Sequence, residues 1–313
     1  MIRLAVRAAR EQADVVLADL LELAPAGVEE VELADGRVEY AVYGPPGELP
    51  ALPDLRALAG GAAVEISTSV LADDWQERWR EFHRPVRVEP PEMPAGAGAP
   101  VPALRVRPPW EPPEEAGEPD ALELVIDPGQ AFGTGAHAST RLCLSLLLEL
   151  RGHLAPPAAV LDVGTGSGVL AIAAAKLGYG PLLALDNEPE SVRAAAENAA
   201  VNGVSLQARR FDLRRETLPW LGAPAGERGG CAPGGAANPA AGRPVIVLAN
   251  LLAPLLLDLC DALASPPAEL IAGGLLVEQL DEIAAAFAVR HGLRERERRC
   301  GGEWGALWLG YAP

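Results

Sequence analysis

One stretch constrains this chain more than any other: Val160 to Asp186, VLDVGTGSGVLAIAAAKLGYGPLLALD. An apolar run ending at Val160-Leu161 is short enough for a buried strand. Asp162-Val163-Gly164-Thr165-Gly166-Ser167-Gly168 follows as a turn, and Val169 to Leu177 reads as a helix rich in Ala and Leu. A second apolar run, Leu182 to Leu185, ends in Asp186. Strand, glycine-rich turn, helix, strand and acid make the first half of a nucleotide-binding α/β unit. Glycines at Gly164 and Gly166 let the backbone approach a ligand, and the helix start offers unpaired N–H groups. Asp186 stands where a carboxylate can accept hydrogen bonds from both hydroxyls of a ribose.

Spacing separates two ligand classes. Counted from Gly164, a dinucleotide fingerprint needs its third glycine at position 169, which is Val169. Here glycines fall at every second residue and Asp162 precedes them by two. That arrangement is typical of S-adenosylmethionine (SAM) binders, whose ligand has no pyrophosphate to set on the helix.

The 313 residues leave room for two domains, and 49% hydrophobic content supports a real core. Against 26 bases stand 43 acids, a formal net charge of −17. A nucleic-acid binder carries a basic face, so direct nucleic-acid binding is not expected, whereas a basic protein substrate suits this charge. The same acidity also serves solubility. Cys143, Cys231, Cys260 and Cys300 are widely spaced. They form neither a metal-binding pair nor a disulfide framework, and they fit a reducing cytoplasm. No signal peptide or membrane-spanning run is read; the apolar stretch Leu142 to Leu150 is too short.

Residues 1–72 read as a small α+β unit. Ile2, Leu4 and Val6 alternate with Arg3, Ala5 and Arg7 as in a half-buried strand. Gln12 to Leu23 is a predicted helix, and Val28 to Leu33 and Val38 to Val42 a hairpin about Asp35-Gly36. Leu49 to Leu58 is a second predicted helix and Ala63 to Val70 a fourth strand. Strand, helix, strand, strand, helix, strand is the ferredoxin-like order, suited to recognition or oligomerisation. Residues 73–119 are expected to form a linker with one short helix, carrying Trp75, Trp79 and Phe82 on one face, and a possible strand at Leu104 to Arg107.

Residues 120–313 form the expected ligand-binding domain. After a strand at Leu122 to Ile126, Asp127 to Thr140 is a glycine-rich loop that can wall a binding site. Thr140 can cap the following helix, touch the ligand, or do both. Glu188 to Asn202 reads as a helix and Ser205 to Phe211 as a strand ending in Asp212. There Asp212 can accept from the adenine amine or stand in solvent. Residues 222–243 are low-complexity and expected to be a disordered insertion. Val245 to Ala249 is a strand closed by Asn250-Leu251-Leu252-Ala253. Strand carboxyl ends face the ligand in open α/β sheets, so the Asn250 carboxamide can hydrogen-bond an amine; it can also cap the helix Ala253 to Leu263. Glu269 to Leu276, the helix Glu278 to His291, and a hairpin turning at Cys300-Gly301-Gly302 complete seven strands with the last reversed.

Four stretches resemble the ribosomal protein L-11 methyltransferases of the PrmA type. They are Asp74-Trp75 through Trp79, Asp127-Pro128-Gly129 through Thr140, the SAM turn with Asp186, and Val247-Leu248-Ala249-Asn250-Leu251-Leu252-Ala253. The resemblance also reaches Leu270 to Leu276 and Glu303-Trp304. It implies a seven-stranded, Rossmann-like class I SAM-dependent domain behind a small substrate-docking domain. It further implies methyl transfer to lysine side chains and the N-terminal amine of ribosomal protein L-11, in the cytoplasm. Cofactor contacts map onto Thr140, Gly164, Asp186 and Asn250. Beside it stands methylation of another protein or of a small-molecule amine. A monomer is expected and no metal is required, since the sulfonium is already activated. His137 is a possible base or a structural loop residue.

Overall fold

The computed structural model describes residues 2–10, 16, 29–33, 36–44, 65–70, 84–91, 100–113, 121–128, 135, 137–221 and 240–311. Contacts divide the chain into two compact units, Met1–Phe82 and His83–Pro313. The predicted helices at 49–58 and 73–82 lie outside the described residues, as do loop residues 129–134 and 136 and most of the 222–243 insertion. Of the predicted first helix, Val16 is described, and it is helical and buried.

The first unit holds β1 (Ile2–Ala9), β2 (Glu29–Glu32), β3 (Arg37–Gly44) and β4 (Glu65–Val70). They form an antiparallel sheet in the order β2-β3-β1-β4, the strand order of the expected ferredoxin-like fold. Leu4, Val6 and Ala8 pair in register with Val42, Tyr40 and Val38. All six are buried in one cluster that Val16 joins. Arg3 and Arg7 both ion-pair with Glu39, a carboxylate only 6% exposed. Arg3, then Arg7, holds it charged, below the usual carboxylate range against the opposing effect of burial.

The second unit starts inside the stretch expected to be linker. β5 (Val86–Val88) pairs antiparallel with β6 (Ala103–Arg107), which pairs parallel with β7 (Ala121–Val125). The predicted strand at 104–107 is therefore present, but as the centre of a sheet. Val88, Leu104, Val106, Leu124 and Ile126 enter the core of the unit. Pro-rich flanks hide these strands because proline density reads as a connector, whereas the alternating burial of β6 anchors it.

The main sheet runs β10-β9-β8-β11-β12-β14-β13. Its strands are β8 (Ala159–Val163), β9 (Leu182–Asp186), β10 (Gln207–Arg210), β11 (Val245–Asn250), β12 (Glu269–Leu276), β13 (Arg294–Gly301) and β14 (Trp304–Gly310). The first five are mutually parallel, and β14 inserts antiparallel between β12 and β13. The final hairpin turns at Gly302-Glu303, two residues later than the expected Cys300-Gly301-Gly302 start, with Cys300 still paired to Gly305.

Among the described residues five helices cover the sheet: α1 (Ala138–His153), α2 (Val169–Lys176), α3 (Pro189–Val201), α4 (Ala253–Ala262) and α5 (Leu280–His291). Val160, Ile246 and Leu248 face a core shared with α1 and α2. Their strand neighbours Leu161, Val247 and Ala249 face a second core shared with α4 and α5. Burial on both faces explains why these strands read as continuous apolar runs. After β8 the chain winds outward through β9 and β10, then returns to β11 on the other side of β8. The carboxyl ends of β8 and β11 thus form a topological switch point, where open α/β sheets place their ligands.

Leu161 is fully buried in the second core. Leu161→Ala is expected to cost about 2–5 kcal/mol of stability in a urea titration; a loss below about 1 kcal/mol would contradict its central place in the packing.

Candidate cofactor and amine site

The turn after β8 is held by the end of β9. Gly164 and Thr165 N–H both donate to the Leu185 carbonyl, at 2.8 and 3.0 Å. Gly166 N–H donates to Asp186 Oδ2 at 2.9 Å, and Glu188 N–H to Oδ1 at 3.0 Å. Gly164 has φ +73°, and a Cβ there would collide with Leu251 Cδ2. The position therefore demands glycine for its backbone and for the close approach of the β11 end. Asp162 lies beneath the turn, 1% exposed, with Thr165 Oγ1 donating to its Oδ2 at 2.7 Å. Oδ1 finds no hydrogen-bond partner of normal geometry among the described residues. Burial pushes this carboxyl up to about 7, the Thr165 hydroxyl and the Ala171 amide oppose the rise, and the Asp186 charge adds to it.

At the end of β11, Asn250 Nδ2 donates to Thr140 Oγ1 at 3.3 Å. Its Oδ1 is buried and has no partner among the described residues. Gly273 and Gly274, at an irregularity in the β12–β14 pairing, make room beside it. A Cβ on Gly274, whose φ is +76°, would stand 2.6 Å from the Leu251 carbonyl and 3.1 Å from Asn250 Oδ1. The N-cap of α4 is Leu252, so Asn250 is not a helix cap. The N-cap of α1 is His137, so Thr140 is not one either. Thr140 is fully buried in the first turn of α1 and points at Asn250.

His137 Nδ1 accepts from Ser139 N–H at 3.3 Å and lies 2.9 Å from Ser139 Oγ. Its ring packs edge-on to Trp304 with centroids 4.7 Å apart. Burial, aided by Arg141 and opposed by Glu303, lowers its basicity. These contacts assign His137 to starting α1. Cys143 is fully buried, against Gly273. Burial and Asp162 push its thiol up to about 12, so it stays a packing residue.

Asp212 follows Phe211, whose N–H donates to the Asp186 carbonyl at 2.8 Å. Its carboxylate accepts from Arg214 N–H at 3.0 Å and pairs with Arg215 at 3.3 Å. The structure thus brings Gly164, Gly166 and Asp186 into one turn and Thr140 and Asn250 into one pair, with Asp212 at the neighbouring strand end.

Two residues escape a reading based on motifs. Asn198 on α3 and Asn202, the C-cap of that helix one turn later, are 3% and 9% exposed. Asn198 joins Asp127 N–H to the Ser167 carbonyl, both at 2.9 Å. Asn202 accepts from Val125 N–H at 2.9 Å and donates to its carbonyl at 2.7 Å. The available signal is Asn198 in the second half of an Ala-rich helix, where asparagine is unfavourable unless its side chain is used.

The chemistry of this donor set fits SAM. The Asp186 carboxylate at the turn would repel a pyrophosphate and favour the sulfonium and ammonium of SAM, while the buried Asp162 beneath it keeps its proton up to about pH 7. Asn250 adds an unsatisfied acceptor at the adjoining strand end.

The family described as ribosomal protein L11 methyltransferase (PrmA) matches residues 55–310. A ribosomal protein L11 methyltransferase of Chloroflexus aurantiacus is 39% identical over 257 residues, covering 77% of this chain and 70% of the relative. One from Pelobacter propionicus is 36% identical over 248 residues, covering 77% and 68%. One from Geobacter sulfurreducens is 34% identical over 294 residues, covering 90% and 83%. A SAM-type turn, a polar strand end at the switch point and a match over most of the length agree: this chain belongs to the ribosomal protein L11 methyltransferase (PrmA) family of SAM-dependent methyltransferases.

Proposed function

We propose that the chain methylates amines of ribosomal protein L11, on lysine side chains and at the N-terminus, acting as a cytoplasmic monomer. The observation that carries the amine assignment is the buried Oδ1 of Asn250 at the switch point, without a partner among the described residues. The names of the relatives supply L11. The net charge of −17 favours encounter with a basic partner, and the N-terminal sheet is the proposed docking unit. Among the described residues no helix is long and apolar enough to cross a membrane.

Bound at the β8 turn, SAM supplies a methyl group already activated by its sulfonium. Asp186 keeps lone pairs beyond the two amides it accepts and would hold the ribose hydroxyls. Gly164 and Gly166 shape the turn against it, and Asp212 would take the adenine amine. Thr140 orients the Asn250 carboxamide by accepting from Nδ2, which leaves Oδ1 to accept an N–H of the substrate amine. That bond aims the nitrogen lone pair for an in-line displacement. A lysine amine titrates near 10.4, so at neutral pH roughly one in a thousand is nucleophilic. A dry strand end disfavours the charged form, and alignment by Asn250 supplies the proximity.

Asp162 adds a pH dependence. The native state holds its proton more tightly than the ordinary carboxyl value of 3.8 allows. It therefore favours folding most at pH below 3.8, and this contribution is lost as pH rises to about 7. Asp162→Asn, neutral throughout, is expected to gain stability relative to the wild type between about pH 4.5 and about pH 7.5 in urea titrations. A difference independent of pH would contradict the buried, protonated carboxyl.

The function itself is tested by transfer of labelled methyl from SAM to purified L11, with mass spectrometry of the product. Methyls on lysine or the N-terminus are the expected result; SAM binding without label on L11 would reject this substrate and redirect the search to other amines. In the same assay Asn250→Ala is expected to lose on the order of 100-fold in turnover with its melting temperature nearly unchanged. Unchanged turnover would remove Asn250 from the reaction.

A further inference from the structure

The glycine-rich turn is braced from a direction that the cofactor motif does not contain. Helix α3 runs against its far side: a Cβ on Gly168, the N-cap of α2, would stand 3.0 Å from Ala195 Cα on α3. One turn further along α3, Asn198 Nδ2 donates to the Ser167 carbonyl and Oδ1 accepts from Asp127 N–H, both at 2.9 Å. Ser167 lies between the last two glycines of the turn, and its side chain is fully buried. Asp127 is the residue at which the chain leaves β7 for the Asp127–Thr140 loop. A single carboxamide, 3% exposed, thus spans the cofactor turn and the end of a strand in a different sheet.

We infer that Asn198 is a positioning residue for the cofactor: it sets the turn through the Ser167 carbonyl and so governs affinity for SAM without touching it. A carboxamide donates from one end and accepts at the other in this span whatever the pH. Burial makes the pair of bonds costly to break, because water cannot replace them. Asn202 is the internal contrast. It is the C-cap of the same helix, one turn later, and is also buried. Among the described residues it bonds to Val125 N–H and C=O and to the Asn198 carbonyl, at 2.9, 2.7 and 2.8 Å. It holds β7, as Asn198 does at Asp127, but has no bond to the turn. If both asparagines served packing alone, equivalent changes would weaken the fold and leave cofactor affinity alone.

The inference rests on the reading of the β8 turn as the SAM site, and the test separates the two. At a pH where the new carboxyl is ionised, Asn198→Asp keeps the bond from Asp127 N–H and removes the donor to Ser167. Asn202→Asp keeps the bond from Val125 N–H, removes its donor to Val125, and adds the same charge one turn away. S-adenosylhomocysteine is titrated calorimetrically into the wild type and both variants, with melting temperatures recorded. The expected result is a Kd raised about tenfold in Asn198→Asp, equivalent to about 1.4 kcal/mol, and raised less than about twofold in Asn202→Asp despite a similar fall in melting temperature. In turnover, KM for SAM is expected to rise in Asn198→Asp while kcat changes little. Equal Kd values in both variants would overturn the role of Asn198. A wild type that binds no S-adenosylhomocysteine would instead overturn the cofactor site itself. If Asn198→Asp does not fold, Asn198→Ala against Asn202→Ala makes the same comparison with the same two outcomes.

Discussion

The end of β9 carries the site. Three consecutive amides of the preceding turn, those of Gly164, Thr165 and Gly166, donate to Leu185 and Asp186. These bonds decide where the turn lies relative to the sheet. They also decide which way Asp186 faces, because the same carboxylate accepts Glu188 N–H at the start of α3. The turn must then double back tightly enough to start α2 at Val169. Backbone N–H groups at a buried strand end need partners, and here the partners are the Asp186 carboxylate and the Leu185 carbonyl. One set of hydrogen bonds therefore closes the fold and shapes the ligand site.

What surrounds that turn follows from the strand order. Because β11 lies on the opposite side of β8 from β9, its carboxyl end arrives directly against the turn, with Leu251 packed where a side chain on Gly164 would otherwise be. That contact brings Asn250 to the same crevice, and Thr140 turns the carboxamide so that its oxygen has no partner among the described residues. The cost of an unpaired buried acceptor is about 1–3 kcal/mol. Such a group persists at a place where a ligand can satisfy it. The Asp186 carboxylate on one side and a carboxamide oxygen on the other give a crevice that attracts cations and donors, as SAM requires.

Much of this is legible in the sequence, for a physical reason. Strands buried on both faces must be apolar throughout, so β8, β9, β11 and β12 stand out as short runs whose ends are punctuated by Asp162, Asp186, Asn250 and the Gly273-Gly274 pair. The ferredoxin-like strand order is also readable, because β1 and β3 alternate. Three features are not readable. β5 sits among prolines that resemble a linker, and only its pairing with β6 reveals it; β6 reads as a strand at Leu104 to Arg107, but its place at the centre of a sheet does not show. The α1 cap falls on His137 rather than Thr140, because the Thr140 hydroxyl is claimed by a residue 110 positions away. Asn198 and Asn202 make their bonds to residues 31 to 77 positions distant, apart from the bond between them, which no local pattern encodes.

A structure of the chain with S-adenosylhomocysteine and a lysine-bearing L11 peptide tests the amine site most directly. The expected result is the lysine nitrogen within about 3.2 Å of Asn250 Oδ1, with the Thr140 bond to Nδ2 retained and the nucleoside against Asp186. A lysine nitrogen held elsewhere, with Asn250 Oδ1 still unpartnered, would contradict the assignment of that oxygen to the substrate amine.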